Sequence, residues 1–210
     1  MTDEASIGKR VLKIVLLGDY SVGKTAIAQR YHADAFEHEY RPSIGVDILS
    51  RRLPLGQEDV QLQIWDMSGQ TEFRRLRQQY LEATDCALII FDLTRRSSLD
   101  AVPSWVEESR EFNPKLPAVL VGNKADMTET RTVTEVEAAS LAKSLRMLFY
   151  AETSAKSGDN IDQVFREVAK QLAAPGKHPE RRRAVSATHR QKRRPRAPEA
   201  KAGRRGPSAR

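Results

Sequence analysis

The chain has 210 residues, enough for one domain of ordinary size with a substantial core, and its 35 Lys and Arg against 28 Asp and Glu leave a formal charge of +7. A single cysteine, Cys86, excludes an intrachain disulfide and suits a reducing compartment. No apolar run approaches the ~20 residues that span a bilayer, and the polar opening MTDEASIGKR lacks the apolar core of a signal peptide, so a soluble intracellular protein is expected.

Short apolar runs alternate with longer amphipathic stretches. VLKIVLLG (11–18) reads as a buried strand ended by glycine, and KTAIAQRYHAD (24–34) as the helix after it. VDILSRRLPL (46–55) and VQLQIWD (60–66) read as a hairpin turning around Gly56. TEFRRLRQQYLEA (71–83) has helical spacing, CALIIFD (86–92) is a buried strand, and SSLDAVPSWVEESREF (97–112) reads as one helix with Pro103 in its first turn. PAVLVGN (117–123) is a strand, TVTEVEAASLAKSL (132–145) a Thr-capped helix, MLFYAE (147–152) a strand and NIDQVFREVAKQLAA (160–174) a helix. The alternation predicts an α/β fold, a six-stranded and mostly parallel sheet with helices on both faces.

The expected layout is a flexible N-terminus over 1–9, one domain over 10–173 and a tail over 174–210. The tail holds 13 Lys and Arg against 2 Glu, a net of +11, which leaves residues 1–173 at −4. It has almost no large apolar residue, cannot bury enough surface to offset chain entropy, and is expected to be disordered.

Ligands of such sheets bind at the carboxyl ends of the strands, so the chemistry is sought just after each one. Gly18-x4-Gly23-Lys24-Thr25 lies between a strand and a helix. Its run Asp19, Tyr20, Ser21, Val22, Gly23, Lys24, Thr25 and Ala26 is a candidate phosphate cradle. Backbone N–H groups turn inward around phosphate oxygens, the helix dipole adds to them, Lys24 reaches the β- and γ-phosphates, and the Thr25 hydroxyl binds Mg²⁺. Asp66 ends the third strand, in WDMSGQ (65–70), where a phosphate-loop enzyme holds Mg²⁺ through water. In NKAD (123–126), Asp126 can accept hydrogen bonds from N1–H and the 2-amino group of guanine. Adenine has neither donor and would leave the carboxylate unpaired. The stem of Lys124 can cover the base, and Asn123 can tie this loop to the first. In ETSAK (152–156), backbone N–H groups around Ser154, Ala155 and Lys156 can meet the guanine O6. Taken alone, NKAD and SAK are ordinary surface turns. Four such loops in one order, each at a strand's carboxyl end, point to one nucleotide.

With GDYSVGKT, RPSIGVDI, LQIWDMSGQTEF, VGNKAD and ETSAK in that order, the chain resembles the small GTPases of the Ras superfamily. IGVD (44–47), LQIWD (62–66), IIFDLT (89–94) and Trp105 resemble its Rab branch. The resemblance covers roughly residues 10–173. It implies a G domain that binds GTP and GDP with Mg²⁺, hydrolyses GTP, and acts as a monomeric switch in intracellular membrane trafficking. Ser43 falls where the family has a threonine whose hydroxyl binds Mg²⁺ and whose backbone meets the γ-phosphate. Gly69 would donate its N–H to that phosphate, and Gln70 would orient the attacking water. The implied catalytic residues are therefore Gln70 and Lys24, and the implied metal ligands Thr25, Ser43 and Asp66. Switches over 36–48 and 66–82 would order with GTP and be read by effectors, an exchange factor and an activating protein.

The pattern also departs from the branch. DTAGQE is replaced by Asp66-Met67-Ser68-Gly69-Gln70-Thr71, which puts the pose of Gln70 in question. Tyr20 and Ser21 stand where Ser and Gly are common, over the γ-phosphate. Either the Tyr20 ring points to solvent, or it crowds the place of Gln70 or of a partner's arginine finger, a group that contributes about 10³ to 10⁵ in rate. The second case implies slow hydrolysis and a long-lived GTP form. RRGPSAR holds no cysteine to prenylate and the second residue is Thr, so no lipid anchor is expected. The basic tail suits peripheral contact with an anionic membrane, RNA or nuclear import factors. Its lack of aromatic residues argues against base stacking. The competing function is a slow or non-cycling GTP-bound scaffold whose tail binds RNA or directs nuclear import.

Overall fold

A computed structural model describes residues 10–33, 46–56, 58–67, 80–81 and 83–174. In chain order they form β1 (Arg10–Leu17), α1 (Lys24–Ala33), β2 (Val46–Leu55), β3 (Glu58–Met67), β4 (Cys86–Asp92), α2 (Arg96–Asp100), α3 (Val102–Phe112), β5 (Ala118–Asn123), a short 3₁₀ turn (Thr128–Thr130), α4 (Glu135–Ser144), β6 (Tyr150–Thr153) and α5 (Ile161–Ala173). The sheet runs β2-β3-β1-β4-β5-β6. β2 is antiparallel to β3 and every other pairing is parallel, as the alternation of runs predicts.

β4 and β5 are buried along their whole length, as strands covered on both faces must be. Side chains of β1 alternate between two cores. Leu12, Ile14 and Leu16 pack with Ile27, Ala28 and Tyr31 of α1 and with Val164, Phe165 and Val168 of α5. Val15 and Leu17 face the other way, into the layer holding Trp105 and Val106 of α3 and Ala138 and Ala142 of α4. Tyr31 stacks on Phe165 with ring centroids 4.0 Å apart, which ties α1 to α5. Burial pushes the Tyr31 phenol up to about 12. Truncating a side chain such as Phe165, fully buried here, costs about 3–5 kcal/mol.

Most element bounds shift by one to three residues from expectation, α4 for one beginning at Glu135 rather than 132, and one expected helix is divided. The helix expected over 97–112 is two helices, α2 and α3, parted at Ala101. In one continuous helix the Pro103 ring would meet the carbonyl of Leu99. Breaking at Ala101 instead puts Pro103 in the first turn of α3, where no N–H is needed. The last strand is Tyr150–Thr153 rather than 147–152, because Met147 N–H is drawn back to the Ala142 carbonyl (3.0 Å) at the end of α4. β1 begins at Arg10 and ends at Leu17, one residue early. The threonine cap of α4 holds: Thr134 and Glu137 form a reciprocal capping box. Of the helix expected over 71–83, Tyr80 and Leu81 are helical and residues 71–79 and 82 lie outside the described residues.

β1 and β4 are adjacent and parallel. From β1 the chain passes to α1 on one face, and from β4 to α2 and α3 on the other. The crevice at their carboxyl ends is where a sheet of this kind takes a ligand.

Candidate functional site

The loop after β1 is shaped by two glycines. Gly18 has φ +137°, and a Cβ there would lie 2.1 Å from the Ile90 carbonyl oxygen; Gly23 has φ +99°, and a Cβ there would lie 2.2 Å from Asn123 Nδ2. Only glycine fits either position. Between them Ser21 takes the left-handed φ of +63°. The Lys24 side chain folds back over the loop. Its ammonium donates to the carbonyls of Gly18 (2.8 Å) and Asp19 (2.7 Å) and is almost wholly buried. The outer turn is docked on neighbouring elements: Trp105 Nε1 donates to Asp19 Oδ1 (2.8 Å), and Arg95 Nη2 donates to the Tyr20 carbonyl (2.7 Å). Tyr20 is 45 % exposed.

Pairing of β1 with β3 sets Asp66 opposite Leu16, and the Thr25 hydroxyl donates to Asp66 Oδ2 at 2.5 Å. Asp66 is 1 % exposed. A hydroxyl and a buried carboxylate side by side are hard oxygen donors, the type that suits Mg²⁺. Among the described residues no group of three or more His, Cys, Asp or Glu could hold a metal. A cation at Thr25 and Asp66 would therefore need water and phosphate oxygens to complete its shell, which is how Mg²⁺ is commonly bound.

β5 ends at Asn123, which is 1 % exposed. Its Nδ2 donates to the Val22 carbonyl (2.9 Å), and its Oδ1 accepts from Ala155 N–H (3.1 Å) and Thr153 Oγ1 (3.4 Å). Lys124 follows with φ +69°, and its ammonium sits 2.6 Å from Asp92 Oδ2, at the carboxyl end of β4. Burial alone would raise the Asp92 carboxyl; hydrogen bonds from Lys124 and Thr94 outweigh it and hold that carboxyl below the usual range. Asp126 accepts from Ser154 Oγ (2.6 Å), and Lys156 Nζ lies 4.0 Å from its other oxygen. The loop after β6 is braced further by Glu152, whose carboxylate accepts from Arg131 Nη1 (2.8 Å) and the Tyr150 hydroxyl (2.7 Å).

Lys24, Thr25, Asp66, Asn123, Lys124, Asp126, Ser154, Ala155 and Lys156 thus come together at the carboxyl edge of the sheet. Ser43, Gly69 and Gln70 lie outside the described residues, as do 36–45, 68–79 and 82 of the two expected switches, the N-terminal 1–9 and the tail from 175. The reading of the sequence missed four contacts: Asp92 with Lys124, Trp105 with Asp19, Arg95 with Tyr20, and Arg30 with the loop after β6. Asp92 had a signal, since it ends a strand at the carboxyl edge. Arg30 and Arg95 had none.

A family profile described as Ras family matches residues 13–174. Ras-related protein Rab-19 of Rattus norvegicus and that of Mus musculus are each 39% identical to this chain over 165 residues, spanning 78% of it and 76% of their own length. Ras-related protein Rab-19 of Homo sapiens is 38% identical over the same length, with the same coverage.

Proposed function

Since the chain belongs to the Ras family of small GTPases, is Rab-like, and so binds GTP and GDP with Mg²⁺ and hydrolyses GTP, we propose that the loops after β1, β3, β5 and β6 are its nucleotide site and that its switching serves intracellular membrane trafficking. The observation that carries the assignment is Asn123. One buried carboxamide joins the phosphate loop, through Val22, to the turn at Ala155. A nucleotide must touch both loops at once, and this side chain sets their spacing.

In this reading backbone N–H groups of 19–26 cradle the phosphates. The Lys24 ammonium exchanges the Gly18 and Asp19 carbonyls for β- and γ-phosphate oxygens. Thr25, Asp66 and Ser43 hold Mg²⁺, which neutralises phosphate charge when bound. Asp126 reads N1–H and the 2-amino group of guanine, and rejecting a base without those donors is worth up to about 10⁴ to 10⁵ in preference. Asp92 holds the Lys124 ammonium, which leaves the lysine stem to cover the base. Gly69 donates to the γ-phosphate and Gln70 orients the attacking water.

Effectors, an exchange factor and an activating protein bind Rab-family GTPases, and in this chain they would do so through 36–48 and 66–82. Among the described residues no helix is long and apolar enough to cross a membrane. The tail's net charge of +11 supports weak, salt-sensitive contact with an anionic surface. Tyr20 is 45 % exposed, as a ring turned to solvent would be; slow hydrolysis requires instead that the ring crowd the place of Gln70 or of an arginine finger, and Tyr20→Gly decides between the two.

The test is single-turnover GTP hydrolysis by the full chain beside Gln70→Leu, followed by capture of partners on the GTP- and GDP-loaded forms. Gln70→Leu should be slower, and equal rates would show that Gln70 is not catalytic. Partners held by the GTP form alone should be components of membrane traffic; a set without any would refute that role.

A further inference from the structure

Arg30 stands in the last turn of α1, the helix that opens with Lys24. Its Nε donates to the Ala155 carbonyl at 3.0 Å, and its Nη2 donates to the Lys156 carbonyl. A Cβ on Gly158 would meet its Cδ, Nε and Cζ at 3.6, 3.7 and 3.9 Å, and Gly158 has φ +91°. One planar guanidinium therefore spans the whole turn after β6, from a position more than 120 residues earlier in the chain.

That contact sets the direction of a particular N–H. In a trans peptide the carbonyl and the following N–H point opposite ways. Holding the Ala155 carbonyl turns the N–H of Lys156 away from Arg30. Holding the Lys156 carbonyl fixes the next plane, whose N–H on Ser157 meets Ser154 Oγ at 3.1 Å. The preceding N–H, on Ala155, meets Asn123 Oδ1 at 3.1 Å. The turn lies against Asp126 through the Ser154 hydroxyl at 2.6 Å. Of the three N–H groups, that of Lys156 is the one whose aim Arg30 determines and that Asn123 and Ser154 do not already use.

We infer that Arg30 is a positioning residue for purine recognition, which aims the Lys156 N–H at the 6-oxo oxygen of the base; the inference rests on the guanine site proposed above. It also makes α1 a shared support. Lys24 and Arg30 are six residues apart on one helix, about 9 Å along its axis. The same rigid element carries the ammonium for the phosphates and the guanidinium behind the base loop.

The experiment uses the full chain and three ligands: GDP, its 6-thio analogue, and inosine diphosphate. The 6-thio analogue replaces the 6-oxo oxygen with a weaker acceptor, and inosine diphosphate lacks the 2-amino group assigned to Asp126. Release rates are measured for the unmodified chain, Arg30→Ala and Arg30→Lys, with melting temperatures alongside. Arg30→Ala should speed GDP release about tenfold, the scale of one well-aimed hydrogen bond, and speed release of the 6-thio analogue much less. The preference for GDP over inosine diphosphate should persist. Arg30→Lys keeps the charge but cannot bridge two carbonyls with a planar fork, and should fall between. Equal acceleration of GDP and its 6-thio analogue overturns the inference, since the arginine then supports only the fold. If Arg30→Ala does not fold, Arg30→Lys carries the same comparison. An unmodified chain without preference for GDP over inosine diphosphate would refute the guanine reading itself, and this inference with it.

Discussion

Replacing Asn123 with alanine should destabilise the domain and loosen the nucleotide together. The substitution removes a donor 2.9 Å from the Val22 carbonyl and an acceptor 3.1 Å from Ala155 N–H, in a position 1 % exposed. The third contact, from the Thr153 hydroxyl at 3.4 Å, is long, and that hydroxyl can rotate to another acceptor. Each of the two orphaned backbone groups costs about 1–3 kcal/mol when no water reaches it. A total of about 2–4 kcal/mol follows if relaxation satisfies part of the need. In a domain of this size 1 kcal/mol moves Tm by about 2–4 °C, so the expected fall is roughly 4–16 °C. Calorimetry on nucleotide-depleted protein reads the loss of bracing alone. Repeating it with saturating GDP adds any loss of affinity, because a ligand stabilises by RT ln(1 + [L]/Kd). A fall below about 2 °C in both states would refute the claim that this carboxamide holds the loops at their spacing.

Asp126→Asn should weaken GTP binding and improve binding of xanthosine triphosphate, because xanthine presents a carbonyl where guanine presents an amine; an unchanged preference in competition binding would remove Asp126 as base reader. Tyr20→Gly should raise the single-turnover hydrolysis rate measurably, since geometry at the γ-phosphate supplies most of the catalysis; an unchanged or lower rate would show that the ring is no obstacle. The Asp92 carboxyl is held below its usual range in the folded chain, so its contribution is present above the ordinary carboxylate pKa near 4 and is lost as pH falls through the lower folded value. Asp92→Asn should therefore flatten the acid limb of a stability–pH curve, and an acid limb unchanged in shape would count against the Asp92–Lys124 pair.

The alternation of apolar runs was enough to place the sheet, because β1, β4 and β5 are covered on both faces and read as continuous apolar stretches. The hairpin was legible from Gly56, whose φ of +64° the turn requires. What spacing could not show was where a helix breaks. Pro103 belongs in a first turn, but the apolar spacing runs unbroken across it; the break falls at Ala101, which spares the proline ring a clash with the Leu99 carbonyl. The site followed the same division. Lys24, Thr25, Asp66, Asn123 and Asp126 were found because each sits in a local motif at a strand's end. Arg30 and Arg95 act through backbone carbonyls far away in sequence, and an arginine on a helix or turn looks like solvated surface until the fold closes over it.

The two ends of this site are satisfied in different ways, and that difference has an energetic consequence. At the base end, Asn123 and Arg30 are held by backbone groups that the nucleotide does not displace, so their order is established by folding and does not draw on binding. At the phosphate end, the groups proposed to meet the ligand already have partners: Lys24 has two carbonyls, and Thr25 has Asp66. Nucleotide binding there exchanges partners for stronger ones, a dipole for a charge, rather than rescuing unmet groups. The net gain is the difference between a charge-assisted contact with phosphate and one with a peptide oxygen, and charged pairs lose strength in salt much faster than neutral hydrogen bonds do. Affinity for the phosphates should therefore fall as ionic strength rises, while the preference for one base over another, set by short hydrogen bonds between the Asp126 carboxylate and an uncharged base, should change much less across the same range.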